Sequence, residues 1–158
     1  MRPQAAFREN KAARVFDAFR TKENMSQDRY NTSKLVQILL ARQVADEVGP
    51  AGPVIVNTIN PSLCKTTLFR HVPFVLGLIV SVLLFIFGRS AEMGSRTLMA
   101  AALGGEETHG KHLDSCEVYD PSRYVLSEEG REMRKKLFGE LLDILEGVQP
   151  GISKNIKP

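Results

Sequence analysis

The sequence predicts an α/β fold in which helices flank a small sheet. Two long stretches carry apolar residues at three- and four-residue spacing, 28–48 and 127–148, as amphipathic helices require. Between them Val54-Ile55-Val56-Asn57-Thr58-Ile59 is a short β-branched run set between Pro53 and Asn60-Pro61, the signature of a buried strand. With 158 residues, 43% hydrophobic and 25% charged, the chain has material for one core and none of the bias of disordered or collagen-like sequences.

The first 22 residues hold six basic side chains (Arg2, Arg8, Lys11, Arg14, Arg20, Lys22) against Glu9 and Asp17. The rest carries 15 basic and 16 acidic residues, so the net charge of +3 belongs to residues 1–25, a basic segment leading into the first long helix. A basic stripe interleaved with aromatics is absent, which argues against nucleic acid as a partner. Glu9 and Asp17 argue against a transit peptide. Two cysteines exclude a disulfide scaffold and point to a reducing compartment, so a cytoplasmic chain is expected. Phe7 to Arg20 reads as a short helix or ordered loop.

The first long helix starts at Ser26 or Asp28, both good N-caps, and runs to Val48. Leu35, Ile38, Leu39, Val44 and Val48 form its stripe, and Gly49-Pro50 ends it. Residues 72–88 carry no charge between Arg70 and Arg89. Seventeen residues lie at the short limit for a membrane span, so a buried or membrane-touching helix beside a binding cleft is the favoured reading. Ser90 to Leu103 is a helix with a small-residue face (Ala91, Gly94, Ala100, Ala101, Ala102), closed by Gly104-Gly105. A polar loop then enters one strand near Leu113–Val118. Ser127 caps the last helix, with Glu128 and Glu129 suiting its dipole. Its stripe is Met133, Leu137, Leu141, Ile144, Leu145 and Val148.

Tyr30-Asn31-Thr32-Ser33-Lys34 is the sharpest chemical feature. An i, i+4 spacing puts phenol and ammonium on one helix face. A nearby ammonium favours the phenolate and draws a phenol toward the range where it serves as an acid or base. Other candidates are weaker. His109, His112, Asp114 and Cys116 are ligand types within eight residues, yet they read as a polar loop, and no metal is expected. Cys64 and Cys116 lack partners that would make either a nucleophile. His71 reads as a solvated residue at a helix start.

Tyr-x-x-x-Lys on a helix, followed by a strand ending in Asn60-Pro61-Ser62-Leu63-Cys64-Lys65-Thr66, resembles the short-chain dehydrogenase/reductase family. The resemblance continues through Gly94-Ser95-Arg96-Thr97, Gly110-Lys111-His112-Leu113-Asp114-Ser115-Cys116 and Gln149-Pro150-Gly151-Ile152, and it looks closest to fungal members of secondary-metabolite pathways. It implies a partial Rossmann-like fold, with residues 26–158 as the C-terminal half of a doubly wound parallel sheet with flanking helices. It further implies NADP or NAD as cofactor and interconversion of a carbonyl and an alcohol on a hydrophobic small molecule. Tyr30 would be the acid/base, and Lys34 would lower its pKa and hold the nicotinamide ribose. Leu63 and Thr66 would contact the carboxamide and pyrophosphate. Residues 72–88 would form a substrate lobe or membrane-contacting flap.

Two departures stand out. Ser62 occupies the position after the proline where the family usually has glycine. No Gly-rich pyrophosphate turn occurs, and neither Ser26 nor Ser33 sits where the family's catalytic serine lies. The sequence therefore reads as the second half of such an enzyme, with unpaired sheet edges, poor solubility alone, and a partner or homo-oligomer expected. The alternatives are a truncated, inactive chain or a small membrane-associated protein.

Overall fold

The computed structural model describes residues 7–22, 28–69 and 73–155. Ser26, Arg70, His71 and Val72, which figured among the expectations, lie outside the described residues.

The core is helical. A 3-10 turn at Arg8–Lys11 precedes helix α1 (Val15–Arg20), and helix α2 spans Arg29–Val48. Near the C-terminus a single turn, α5 (Arg123–Leu126), leads into α6 (Glu128–Val148). Helices α2 and α6 pack together around Phe7, Val15, Val36, Leu39, Tyr124, Val125, Met133 and Leu137. The first residues of the described chain are thus core residues, with Phe7 and Val15 buried.

The α6 cap is as expected: Ser127 Oγ accepts from Gly130 N at 3.1 Å. Helix α2 starts after Asp28, which makes no side-chain cap, and ends at Gly49, whose left-handed φ of 74° is the conformation glycine favours. The buried faces differ from the apolar stripes. In α2 the buried residues are Thr32, Val36, Leu39, Gln43 and Ala45, so of the expected stripe Leu39 alone is fully inside. In α6 Met133 and Leu137 are buried, but Val148 is exposed, while Phe138 and Glu140 are inside. On each helix the buried face includes a polar residue that makes hydrogen bonds. Gln43 Nε2 donates to Glu47 Oε1 at 2.9 Å. Glu140 accepts the N–H groups of Val15 at 2.9 Å and Phe16 at 3.0 Å, capping α1 from 125 residues away. A buried polar group with partners carries little penalty, so apolar periodicity does not mark these faces.

The sheet has three strands of three residues each: β1 (Thr58–Asn60), β2 (His112–Asp114) and β3 (Glu117–Tyr119). β1 pairs parallel with β2, Thr58 opposite His112, and β2 pairs antiparallel with β3. The α/β class holds, but this is a small mixed sheet rather than a doubly wound parallel one. Of the expected strand 54–59 only Thr58 and Ile59 enter the ladder, since among the described residues Val54 and Ile55 have no strand beside them and are exposed. The single strand expected near 113–118 is a hairpin. Ser115 (φ 55°) and Cys116 (φ 74°) both take the left-handed backbone of its turn, a role without the usual Asn-Gly signal.

Between β1 and β2 run helices α3 (Phe74–Phe87) and α4 (Ala91–Leu103). Ser90 caps α4 by accepting from Met93 N at 3.0 Å. Its buried face, Gly94, Thr97 and Ala101, is small as expected and lies on β1. A Cβ at Gly94 would overlap Cys64 Sγ. Asn57 Nδ2 joins the layers by donating to Ala101 O at 3.0 Å and Thr108 Oγ1 at 3.1 Å. Helix α3 is the exception. Its 14 uncharged residues include none that is buried, and Phe74 and Phe85 are 87% and 83% exposed. Among the described residues no helix is long and apolar enough to cross a membrane.

Candidate functional site

Tyr30 is the second residue of α2, 65% exposed, and Lys34 lies one turn on, also exposed. The α-helical rise brings the two side chains together as their spacing predicts. The ammonium sits over the face of the phenol ring, 5.5 Å from its centroid, and donates to Gln37 Oε1 at 3.2 Å. This is a cation–π contact. Ser33 is occupied locally, its hydroxyl donating to Tyr30 O at 2.7 Å.

Tyr30 and Lys34 line a cleft of about 720 Å³ between α2 and the β1–β2 edge, with Ile38, Ala41, Ile59 and Pro61 supplying apolar wall. Gln37, Thr58, Asn60 and His112 add polar groups. Among the described residues Lys34 is the one cation in the lining and no carboxylate joins it, so the cleft suits a neutral or anionic ligand bearing hydroxyl groups.

The loop after β1 leaves this cleft at Pro61. Ser62 has a φ of 63°, left-handed, where a side chain is disfavoured and glycine is not. A glycine at this position would meet no such penalty. Ser62 N donates to Asn60 Oδ1 at 3.1 Å. Leu63 O accepts from Arg89 N at 2.9 Å, and Lys65 N donates to Arg89 O at 2.8 Å, so the loop pairs with the chain leaving α3. Thr66 Oγ1 accepts weakly from Leu68 N at 3.4 Å and lines a second cleft of about 480 Å³ with Phe69, Phe74, Gly77, Leu78 and Ser81. Tyr30 and Lys34 thus share one cleft, Thr66 lines another, and Leu63 lies on the loop between them.

His112 is the site residue that sequence reasoning passed over as part of a polar loop. The parallel pairing of β1 and β2 sets it opposite Thr58, with Nδ1 at 2.9 Å from Thr58 Oγ1. Burial pushes its imidazole below the ordinary value, with Asp114 pulling the other way. His109 is fully engaged: Nδ1 accepts from Val56 N at 3.3 Å, so Nε2 carries the proton that Ala45 O takes at 2.8 Å. Cys116 Sγ donates to Thr97 Oγ1 at 3.7 Å. Among the described residues no three His, Cys, Asp or Glu side chains gather as a metal site would require.

A helix-borne Tyr/Lys pair thus stands beside a parallel strand and its polar loop in an α/β chain. Sequence comparison gives the family. The chain is 46% identical over 112 residues to the short chain dehydrogenase atnD of Emericella nidulans, covering 68% of this chain and 36% of the relative. It is 36% identical over 137 residues to the short chain dehydrogenase/reductase dmxR8 of Cryptosporiopsis sp., covering 85% and 41%. To the short chain dehydrogenase FGM9 of Gibberella zeae it is 32% identical over 151 residues, covering 94% and 44%. This chain belongs to the short-chain dehydrogenase/reductase family. It spans less than half the length of these relatives. No family model matches it, and no solved structure does.

Proposed function

We propose that this chain carries the proton-handling part of an NAD(P)-dependent reductase that interconverts a carbonyl and an alcohol on a hydrophobic small molecule of fungal secondary metabolism. The observation that supports it best is the Tyr30–Lys34 pair in the wall of a cleft whose described lining holds no carboxylate. Tyr30 donates a proton to the carbonyl oxygen in reduction and takes it back from the alcohol in oxidation. Lys34 binds ribose hydroxyls with its remaining N–H donors. A bound nicotinamide supplies the hydride. Leu63 contributes backbone contacts and Thr66 a hydroxyl to that cofactor. Exposed α3 offers the apolar wall for the substrate and a surface for peripheral membrane contact.

The test is titration of NADPH and NADH against the purified chain, followed by turnover of a panel of aromatic and aliphatic ketones. Tyr30→Phe should leave cofactor binding within about twofold and abolish turnover, while Lys34→Met should weaken binding and slow turnover together. Turnover that survives Tyr30→Phe would remove the catalytic assignment. A second reading, a chain that acts only with another polypeptide, draws on the separation of Tyr30 and Thr66 into different clefts. It predicts no cofactor binding by the chain alone.

A further inference from the structure

Three described residues other than glycine have left-handed backbone, Ser62, Ser115 and Cys116, and two of them meet at one carboxylate. Asp114 ends β2 opposite Asn60 at the end of β1. Its Oδ1 accepts from Ser115 Oγ at 2.9 Å and from Ser62 Oγ at 3.3 Å, and its Oδ2 accepts from Asn60 Nδ2 at 3.4 Å. Arg89 donates from a guanidinium nitrogen to Ser115 Oγ at 2.9 Å. Each serine hydroxyl has one proton. Ser115 gives its proton to Asp114 while its lone pairs receive Arg89. Ser62 shares its proton between Asp114 and Ser115 Oγ, 3.2 Å away. The network joins three separate stretches of chain: the loop after β1, the turn between β2 and β3, and Arg89, two residues past the end of α3.

We propose that Asp114 is the positioning residue of the 60–66 loop, holding through the Ser62 hydroxyl the left-handed turn from which Leu63 and Thr66 are presented. A glycine reaches this backbone without assistance; a serine is disfavoured there, yet brings a hydroxyl that glycine lacks. Replacing one by the other is tolerated because a carboxylate faces the hydroxyl. Ser62 and Asp114 therefore act as a pair, while Arg89 secures the far side of the same loop through its own backbone. The consequence for ligand binding rests on the reading that this loop faces a nicotinamide cofactor.

The experiment measures amide exchange at residues 62–66 and NADPH affinity, on the full 158-residue chain. Asp114→Ala should speed exchange in this loop about tenfold while the Thr58–His112 ladder stays protected. Ser62→Ala, which keeps the backbone strain and deletes the hydroxyl, should do the same without touching the carboxylate. Asp114→Asn retains an acceptor and should stay near native. Ser62→Gly should exchange like the native loop, and adding it to Asp114→Ala should restore protection. NADPH affinity should fall several-fold in Asp114→Ala and return in the double variant; a purely structural carboxylate would show no such rescue by glycine. Unchanged exchange in both alanine variants, or a double variant as loose as Asp114→Ala, overturns the proposal. So does an NADPH affinity indifferent to Asp114→Ala. If the native chain binds no NADPH but the exchange pattern and its rescue appear, the proposed function fails and the hold of Asp114 on the loop stands.

Discussion

Glu140 should be among the most sensitive positions outside the apolar core. Its carboxylate is buried at 7% exposure and accepts the first two N–H groups of α1, from Val15 and Phe16. Arg14, at the cap position itself, makes no side-chain cap bond. Glu140→Ala therefore leaves two backbone donors without their acceptor, one of them on a fully buried residue. A hydrogen bond to a charged group contributes about 1.5–3 kcal/mol, and losing a helix cap costs about 0.5–2 kcal/mol. Allowing for water entering the vacated space, the expected loss is about 2–4 kcal/mol. With a urea m-value of about 2 kcal/mol/M, the unfolding midpoint should fall by about 1–2 M. Glu140→Gln keeps one acceptor and should lose about half as much. The effect should reach the candidate site. Phe19 of α1 lies under the Arg29 guanidinium, 4.8 Å away, and Arg29 also pairs with Glu9 at 3.2 Å. Loosening α1 should therefore raise amide exchange through the first turn of α2, which bears Tyr30. A midpoint within about 0.25 M of native for Glu140→Ala would refute the reasoning, as would a Gln variant no better than Ala.

Further outcomes follow from the same geometry. Gly130→Ala should cost about 2 kcal/mol or more despite alanine's helix propensity, because the new Cβ overlaps the Tyr124 carbonyl; Gly139→Ala on the same helix meets open space and should gain about 0.5–1 kcal/mol, both read by urea titration. His112 has its folded pKa lowered below 6.5 by burial, so the unfolded chain binds more protons wherever the two states differ. Its contribution should be complete above that value and lost as the pH falls below it toward the folded pKa; a pH series of unfolding midpoints should show this, and His112→Gln should flatten it. Val75→Lys and Ile86→Lys on exposed α3 should each change unfolding free energy by less than about 0.5 kcal/mol while reducing self-association in sedimentation velocity. Self-association unaffected by either would remove α3 as its cause.

The candidate site was legible to the extent that it is local. Tyr30 and Lys34 meet because the helical period places i and i+4 on one face, and the small face of α4 and the cap Ser127 were legible as residue types. The unusual Ser62 was also visible as a residue type. What it does was not, because its partner Asp114 lies 52 positions away and meets it only where β1 and β2 pair in register. His112 enters the cleft through the same register.

Sequence periodicity identified which stretches are helices but misjudged the sides they bury. A stripe count sees apolar residues, whereas burial in α2 and α6 went also to Thr32, Gln43 and Glu140, because each face is chosen by the neighbour it meets. The sheet shows the same limit: strand pairing is non-local, so neither the shortening of β1 nor the Ser115-Cys116 hairpin is written in the residues on either side. The family, by contrast, was suggested by motifs carried in the chain itself and is shown by identity to its relatives, and needed no packing to be read. Tertiary structure added the relation between those motifs: Tyr30 and Lys34 open on one cleft, Thr66 on another, and the loop between them is tied down by a carboxylate from a strand more than fifty residues on.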